Sequence, residues 1–100
     1  MSASNDIIHQ PMRLRIMAAL NALAAKQAAI EFTRLKALVG ATDGNLGAHL
    51  DTLEKAGLIV IEKRFADRKP QTRIRMSPVG RRAFAEHVAY LREIIDGVGA

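Results

Sequence analysis

The sequence predicts an α+β, mostly helical domain: three helices, a β-hairpin and a last helix. Three observations carry that expectation. Two short amphipathic segments flank a three-residue junction, Gly40-Ala41-Thr42. The apolar period then changes from 3.6 to 2 after Gly57. Ser77-Pro78, a capping residue followed by a proline suited to a first helical turn, restarts the helical pattern.

Taken in order, Pro11 to Ala25 reads as the first helix, with Leu14, Ile16, Met17, Leu20 and Leu23 at helical spacing. The stretch 28–32 is too short for a helix and reads as a small strand or connector. Thr33 is expected to cap a second helix that turns Leu35, Leu38 and Val39 inward and stops at Gly40. Thr42 caps the third, its hydroxyl accepting from the Asn45 amide, and Asp43 complements the helix dipole. Leu46, Leu50 and Leu53 form its buried stripe, and Gly57 ends it. The opposite face shows Gly44, Ala48, Asp51, Thr52 and Lys55, flanked by Asn45 and His49. Alternation over Leu58–Phe65 and Thr72–Ser77 gives two strands joined by a polar tip, 66–71. Ile59, Ile61, Ile74 and Met76 pack inward, while Arg73 and Arg75 point out. The last helix runs to about Ile95, before Gly97 and Gly99.

One hundred residues make one domain, with a core at about 8–95 and loose ends at 1–6 and 97–100. Such a chain buries about two-thirds of its unfolded surface. No apolar run approaches bilayer length, and the first six residues lack the pattern of a secretion signal. Without cysteine there is no disulfide or thiolate metal site. His9, His49 and His87 stand far apart in sequence, so no metal site within one chain and no other cofactor is expected, a site built across a dimer being the open alternative. These features point to a cytoplasmic protein with no membrane partner. No nucleophile stands beside a base and no glycine loop suits a nucleotide, so an enzyme is not expected.

The net charge is +5, and residues 58–78 alone hold six basic groups against two acidic ones. This local surplus suits a polyanion better than it suits general solubility. A solvated hairpin edge guarded by cations explains only part of it. The last helix carries a broad apolar face, Phe84, His87, Val88, Tyr90, Leu91, Ile94 and Ile95. That face is read as a homodimer interface, the other reading being that the first helix covers all of it. His87 is taken as an interface histidine, and Phe32, Phe65 and Phe84 as core or interface anchors.

The residues also resemble a family. His9-Gln10-Pro11 with Arg13 and Ile16, Phe32-Thr33 with Leu35-Lys36, and Thr42-Asp43-Gly44-Asn45-Leu46 stand in order. They are followed by His49-Leu50, Leu53-Glu54, Ala56 to Ile59, Glu62-Lys63, Phe65, Arg68, Pro70, Thr72, Ser77-Pro78 and Gly80. Over about 8–95 the chain resembles the winged helix-turn-helix transcription regulators of the MarR/ArsR kind. It is most similar to small stand-alone members with one helix after the wing.

The resemblance implies that the third helix enters the major groove of double-stranded DNA and that the wing reaches the minor groove or backbone. It also implies repression from an inverted-repeat site. The contacts expected from the helix are Thr42, Gly44, Asn45, Ala48, His49, Thr52 and Lys55. Asn45 can pair with adenine or bond locally at its own helix start. His49 flanks the reading face or packs against the wing. Phosphate contacts are expected from Thr33, Lys63, Arg64, Arg68, Lys69, Arg73 and Arg75, with Arg68 at the tip suited to a narrow groove. Asp51 on the reading face would repel phosphate unless a cation neutralises it. A rival reading is a winged-helix assembly module with an acidic protein partner; RNA fits poorly, because its major groove excludes such a helix. A site for a small-molecule effector is not legible.

Overall fold

The computed structural model describes residues 3–23 and 28–98. Helices α1 (Asp6–His9) and α2 (Pro11–Asn21) are followed by strand β1 (Ile30–Glu31), then by α3 (Phe32–Val39) and α4 (Asp43–Lys55). Strands β2 (Ile59–Ala66) and β3 (Lys69–Met76) form the hairpin, and α5 (Pro78–Val98) completes the chain. The three-stranded antiparallel sheet has the order β1-β3-β2. This is the α+β winged helix architecture that the sequence predicts.

The core is built where the helical stripes meet the inner face of the sheet. Ile16, Met17 and Leu20 from α2, Leu35 and Val39 from α3, and Leu46, Leu50 and Leu53 from α4 are all buried. They close over Ile59, Ile74 and Met76. Ile59 pairs with Met76 and Ile61 with Ile74, which puts these four side chains on one face of the hairpin.

Several element ends differ from the sequence reading. Asn5 and Asp6, expected in a loose end, start a helical turn in which the Asn5 carboxamide accepts from the Ile8 amide at 3.0 Å. Helix α2 ends at Asn21, and residues 24–25 of its expected span lie outside the described residues. Thr33 does not cap α3. Pairing of Ile30 with Ile74 and Glu31 with Arg73 holds the backbone extended through Glu31, so the helix begins at Phe32 with Thr33 inside its first turn. Leu38 points outward and is 61% exposed, because Leu35 and Val39 already fill the inward face. Gly40, at φ 69°, ends α3 as expected.

The hairpin is longer and its tip tighter than the sequence suggests. Strand pairing continues to Ala66 opposite Lys69, leaving Asp67-Arg68 as a two-residue turn with φ values of 51° and 64°. Positive φ at both positions matches the twist of the flanking strands. Pro70 is accommodated within β3 because β1 pairs only with Arg73 and Ile74, so the strand is an edge at that point.

Helix α5 is fastened at its start. Ser77 Oγ donates to the Gly57 carbonyl at 2.6 Å and accepts from the Gly80 amide at 2.9 Å. Gly80 lies against the Leu58 carbonyl so closely that a Cβ there would overlap it. The helix then continues through Gly97, past the expected stop, along a molecule 57 Å in its longest dimension.

Candidate nucleic-acid interface

Helix α4 stands as its capping chemistry dictates. Thr42 Oγ1 accepts from the Asn45 amide at 3.2 Å, and the leucine stripe seats α4 on the core. Gly44, Asn45 and Ala48 are exposed on the outer face, and a methyl at Gly44 would meet nothing within 4 Å. No packing contact therefore accounts for a glycine inside this helix. Thr52 is half-buried and turns its hydroxyl back to the Ala48 carbonyl at 3.2 Å, leaving its methyl and a lone pair for a partner.

The acidic residues of α4 are held by cations. Lys55 reaches Asp51 at 2.9 Å one turn away, so the cation at the end of the helix is engaged by the acid expected to repel phosphate. Lys36 of α3 reaches Asp43 at 2.8 Å across the turn. The Lys55 ammonium is accordingly held above its usual pKa, first by the Asp51 hydrogen bond and then by its charge.

His49 is not free on the reading face. The Arg13 guanidinium approaches its Nδ1 at 3.1 Å while Arg13 Nε donates to the Ile7 carbonyl at 2.6 Å. A guanidinium only donates, so Nδ1 accepts and the ring is neutral. Burial, and then the Arg13 charge, lower its pKa. His49 thereby packs toward α2 rather than toward the wing, and Arg13 braces α4 from behind.

In the wing, Lys63, Arg64, Arg68 and Lys69 are exposed, with Arg68 and Lys69 at and beside the tip. Arg75 is tied to Glu62 at 2.9 Å, and Arg64 donates to Gln71 at 2.8 Å across the strands. The Arg75 hydrogen bond, ahead of the charges of Arg75, Arg73 and Arg64, holds the Glu62 carboxyl below its usual range. Phe65 is 77% exposed and anchors no core; its cross-strand partner is Pro70, close to the hairpin tip. Thr33 and Thr72 both line a cleft of about 220 Å³ that also includes Phe32 and Pro70. That places Thr33 beside the wing. Arg34, missed in the sequence because it belongs to no capping or alternation pattern, lines a second groove with Arg64 and Arg73.

The face of α5 divides in two. Phe84 is buried in the core, and His87 is fully buried by its own chain, so neither is left for a partner. The Asn5 amide donates to His87 Nδ1 at 3.0 Å, and His9 Nδ1 lies 3.4 Å from its Nε2. Burial, followed by His9, lowers the His87 pKa. Val88, Tyr90 and Leu91 are half-buried, whereas Ile94 and Ile95 are 46% and 71% exposed. Among the described residues no three His, Cys, Asp or Glu side chains converge as a metal site would require, and no helix is long and apolar enough to cross a membrane.

The model of the winged helix DNA-binding domain matches residues 12–95, the span that holds the helix-turn-helix and the wing. The chain belongs to this family. A transcriptional regulator homologue from Pyrococcus horikoshii has the same fold, with a TM-score of 0.83 and 31% identity over 94% of this chain and 89% of that one. An uncharacterized protein of Methanocaldococcus jannaschii is 33% identical over 92 residues, 92% of this chain and 96% of its own. The transcriptional repressor CouR, solved on a 23-mer DNA duplex, shares the fold with a TM-score of 0.59 and 23% identity, over 89% of this chain and 70% of that one. This winged helix protein thus carries a DNA-binding domain of the kind found in that transcriptional regulator homologue.

Proposed function

We propose that this winged helix protein is a cytoplasmic repressor that binds an inverted-repeat DNA site as a homodimer, α4 in the major groove and the wing on the adjacent backbone and minor groove. The observation that carries this reading is the pairing of an exposed helix face, small at Gly44 and Ala48, with a projecting cationic hairpin. Gly44 and Ala48 let the α4 backbone approach the base edges closely, and Asn45 offers the donor and acceptor that adenine matches. Thr42, Thr33 and Thr72 lie where hydroxyls can meet phosphate, and Arg68 projects from the tip into a groove of concentrated negative potential. Lys55 and Arg75, each engaged by a carboxylate, contribute less than Lys63, Arg68 and Lys69.

Dimerisation through α5 is supported by its open half, Tyr90, Leu91, Ile94 and Ile95, next to the half already consumed by Phe84 and His87. A twofold pair would set its reading helices about one turn of DNA apart, roughly 34–36 Å. Occupancy of such a site excludes polymerase.

Selection from a random duplex library, with the oligomeric state measured in parallel, tests the whole reading. A palindromic motif bound by two chains is expected, and Ile95→Glu should give monomers with weakened binding. A folded dimer that binds no duplex at low salt, but retains an acidic protein, would overturn the DNA reading.

A further inference from the structure

At the base of the wing lies a groove of about 500 Å³ lined by Leu23, Ala29, Ile30, Glu31, Arg34, Arg64 and Arg73. Its volume falls in the range of small-molecule sites, roughly 300–1,000 Å³. Three elements contribute to it. Arg34 comes from the first turn of α3, fixed because β1 pairing starts that helix at Phe32. Arg64 and Arg73 come from β2 and β3 and share the outer face of the hairpin, as the pairing of Glu62 with Arg73 and Arg64 with Gln71 requires. Gln71 holds the Arg64 guanidinium through Nε, leaving its terminal nitrogens available to a ligand.

The charges around the groove do not balance. Among the described residues, three guanidinium groups face one lining carboxylate, Glu31, which pairs across the strands with Arg73. Glu62, the cross-strand partner of Arg73 in β2, is engaged by Arg75. A surplus of two positive charges, presented as planar forks, matches a dianion with several oxygens in one cluster. Leu23 and Ala29 add an apolar wall that inorganic phosphate alone would leave uncovered.

We propose that this groove binds a small organic phosphate monoester, its phosphoryl group between Arg34, Arg64 and Arg73 and its organic part against Leu23 and Ala29. Binding itself is independent of DNA. Its regulatory consequence rests on the DNA-binding reading: the occupied groove neutralises two wing arginines, so ligand and duplex weaken each other by the same factor.

The test is titration of the intact protein with phenyl phosphate at low salt, followed by the arginine Nε–Hε resonances in NMR spectra, with inorganic phosphate and phenol as separate arms. Saturable shifts at Arg34, Arg64 and Arg73 are expected. Arg34→Gln should weaken binding about tenfold or more, and Arg34→Lys should restore only part of it, because the fork is lost. Phenyl phosphate should bind more tightly than either arm alone. The proposal fails if these resonances do not move, if Arg34→Gln leaves binding unchanged, or if inorganic phosphate binds equally well. It also fails if Arg34→Gln weakens duplex binding while phenyl phosphate has no effect on the groove, since the groove would then hold DNA phosphate. Because the titration contains no DNA, its failure leaves the DNA reading standing, and loss of duplex binding leaves the titration interpretable.

Discussion

Helix α4 and the wing lie side by side and are built on opposite principles. The helix is held by three buried leucines, and two of its acids are matched by Lys36 and Lys55, so its outer face is small and nearly neutral. The wing beyond Ile61 has almost no core and carries exposed Lys63, Arg64, Arg68 and Lys69. On the proposed DNA-binding reading, the difference amounts to a division of labour. A rigid element without surplus charge can discriminate between bases while adding little nonspecific affinity. A weakly packed cationic element supplies affinity and little sequence information.

The comparison breaks most visibly in stability. Leu53→Ala, under the reading helix, is expected to cost about 2–5 kcal/mol, whereas Phe65→Ala on the wing should change stability by less than about 0.5 kcal/mol, both measured by denaturant unfolding. A large loss from Phe65→Ala would mean that the wing is packed after all. In binding, Arg68→Ala should lower affinity for all duplexes and reduce the salt slope by about 0.9, while Asn45→Ala should relax preference at one base pair and leave the slope unchanged. Equal effects of the two on all sequences would merge the roles separated here. Gly44→Ala is sharper still, with opposite signs. The helix should be unchanged or stabilised by up to about 1 kcal/mol, because the methyl meets nothing, yet specific binding should fall as the helix is held off the groove.

The smallest effect is expected from pH. His49 and His87 both have lowered pKa values in the folded state, so the unfolded chain takes up protons first. Their contribution is complete above the unfolded value near 6.5 and is lost as pH falls through it toward the lower folded values. Thermal unfolding should therefore shift down a few degrees between about pH 7.5 and 5.5. His87→Gln should flatten that dependence without altering the salt slope of DNA binding, since the pair belongs to the helical body and not to the wing.

Local chemistry made much of this legible. The Thr42 cap, the Gly40 stop, the leucine stripe of α4 and the alternation of β2 and β3 each depend on neighbours within a few residues. What stayed hidden were pairings over long sequence distances. His9 and His87 are 78 residues apart and meet only because α1 folds back on α5, which also removes Phe84 and His87 from the expected dimer face. Arg13 meets His49 across 36 residues, and so takes that ring out of the reading surface. Thr33 looked like a cap because its residue type suits one, but long-range pairing of β1 with β3 moved the helix start past it.

By itself the chain determined the order of its longer helices and hairpin, the Thr42 cap, the Gly40 stop and the concentration of cations in one hairpin, since periodicity and composition are local properties. Only the tertiary structure decided which of those cations remain available, which half of α5 is spent inside the molecule, and that Arg34 joins Arg64 and Arg73 around one groove. Charges and apolar faces act through distance in space, and folding sets that distance without regard to separation along the chain.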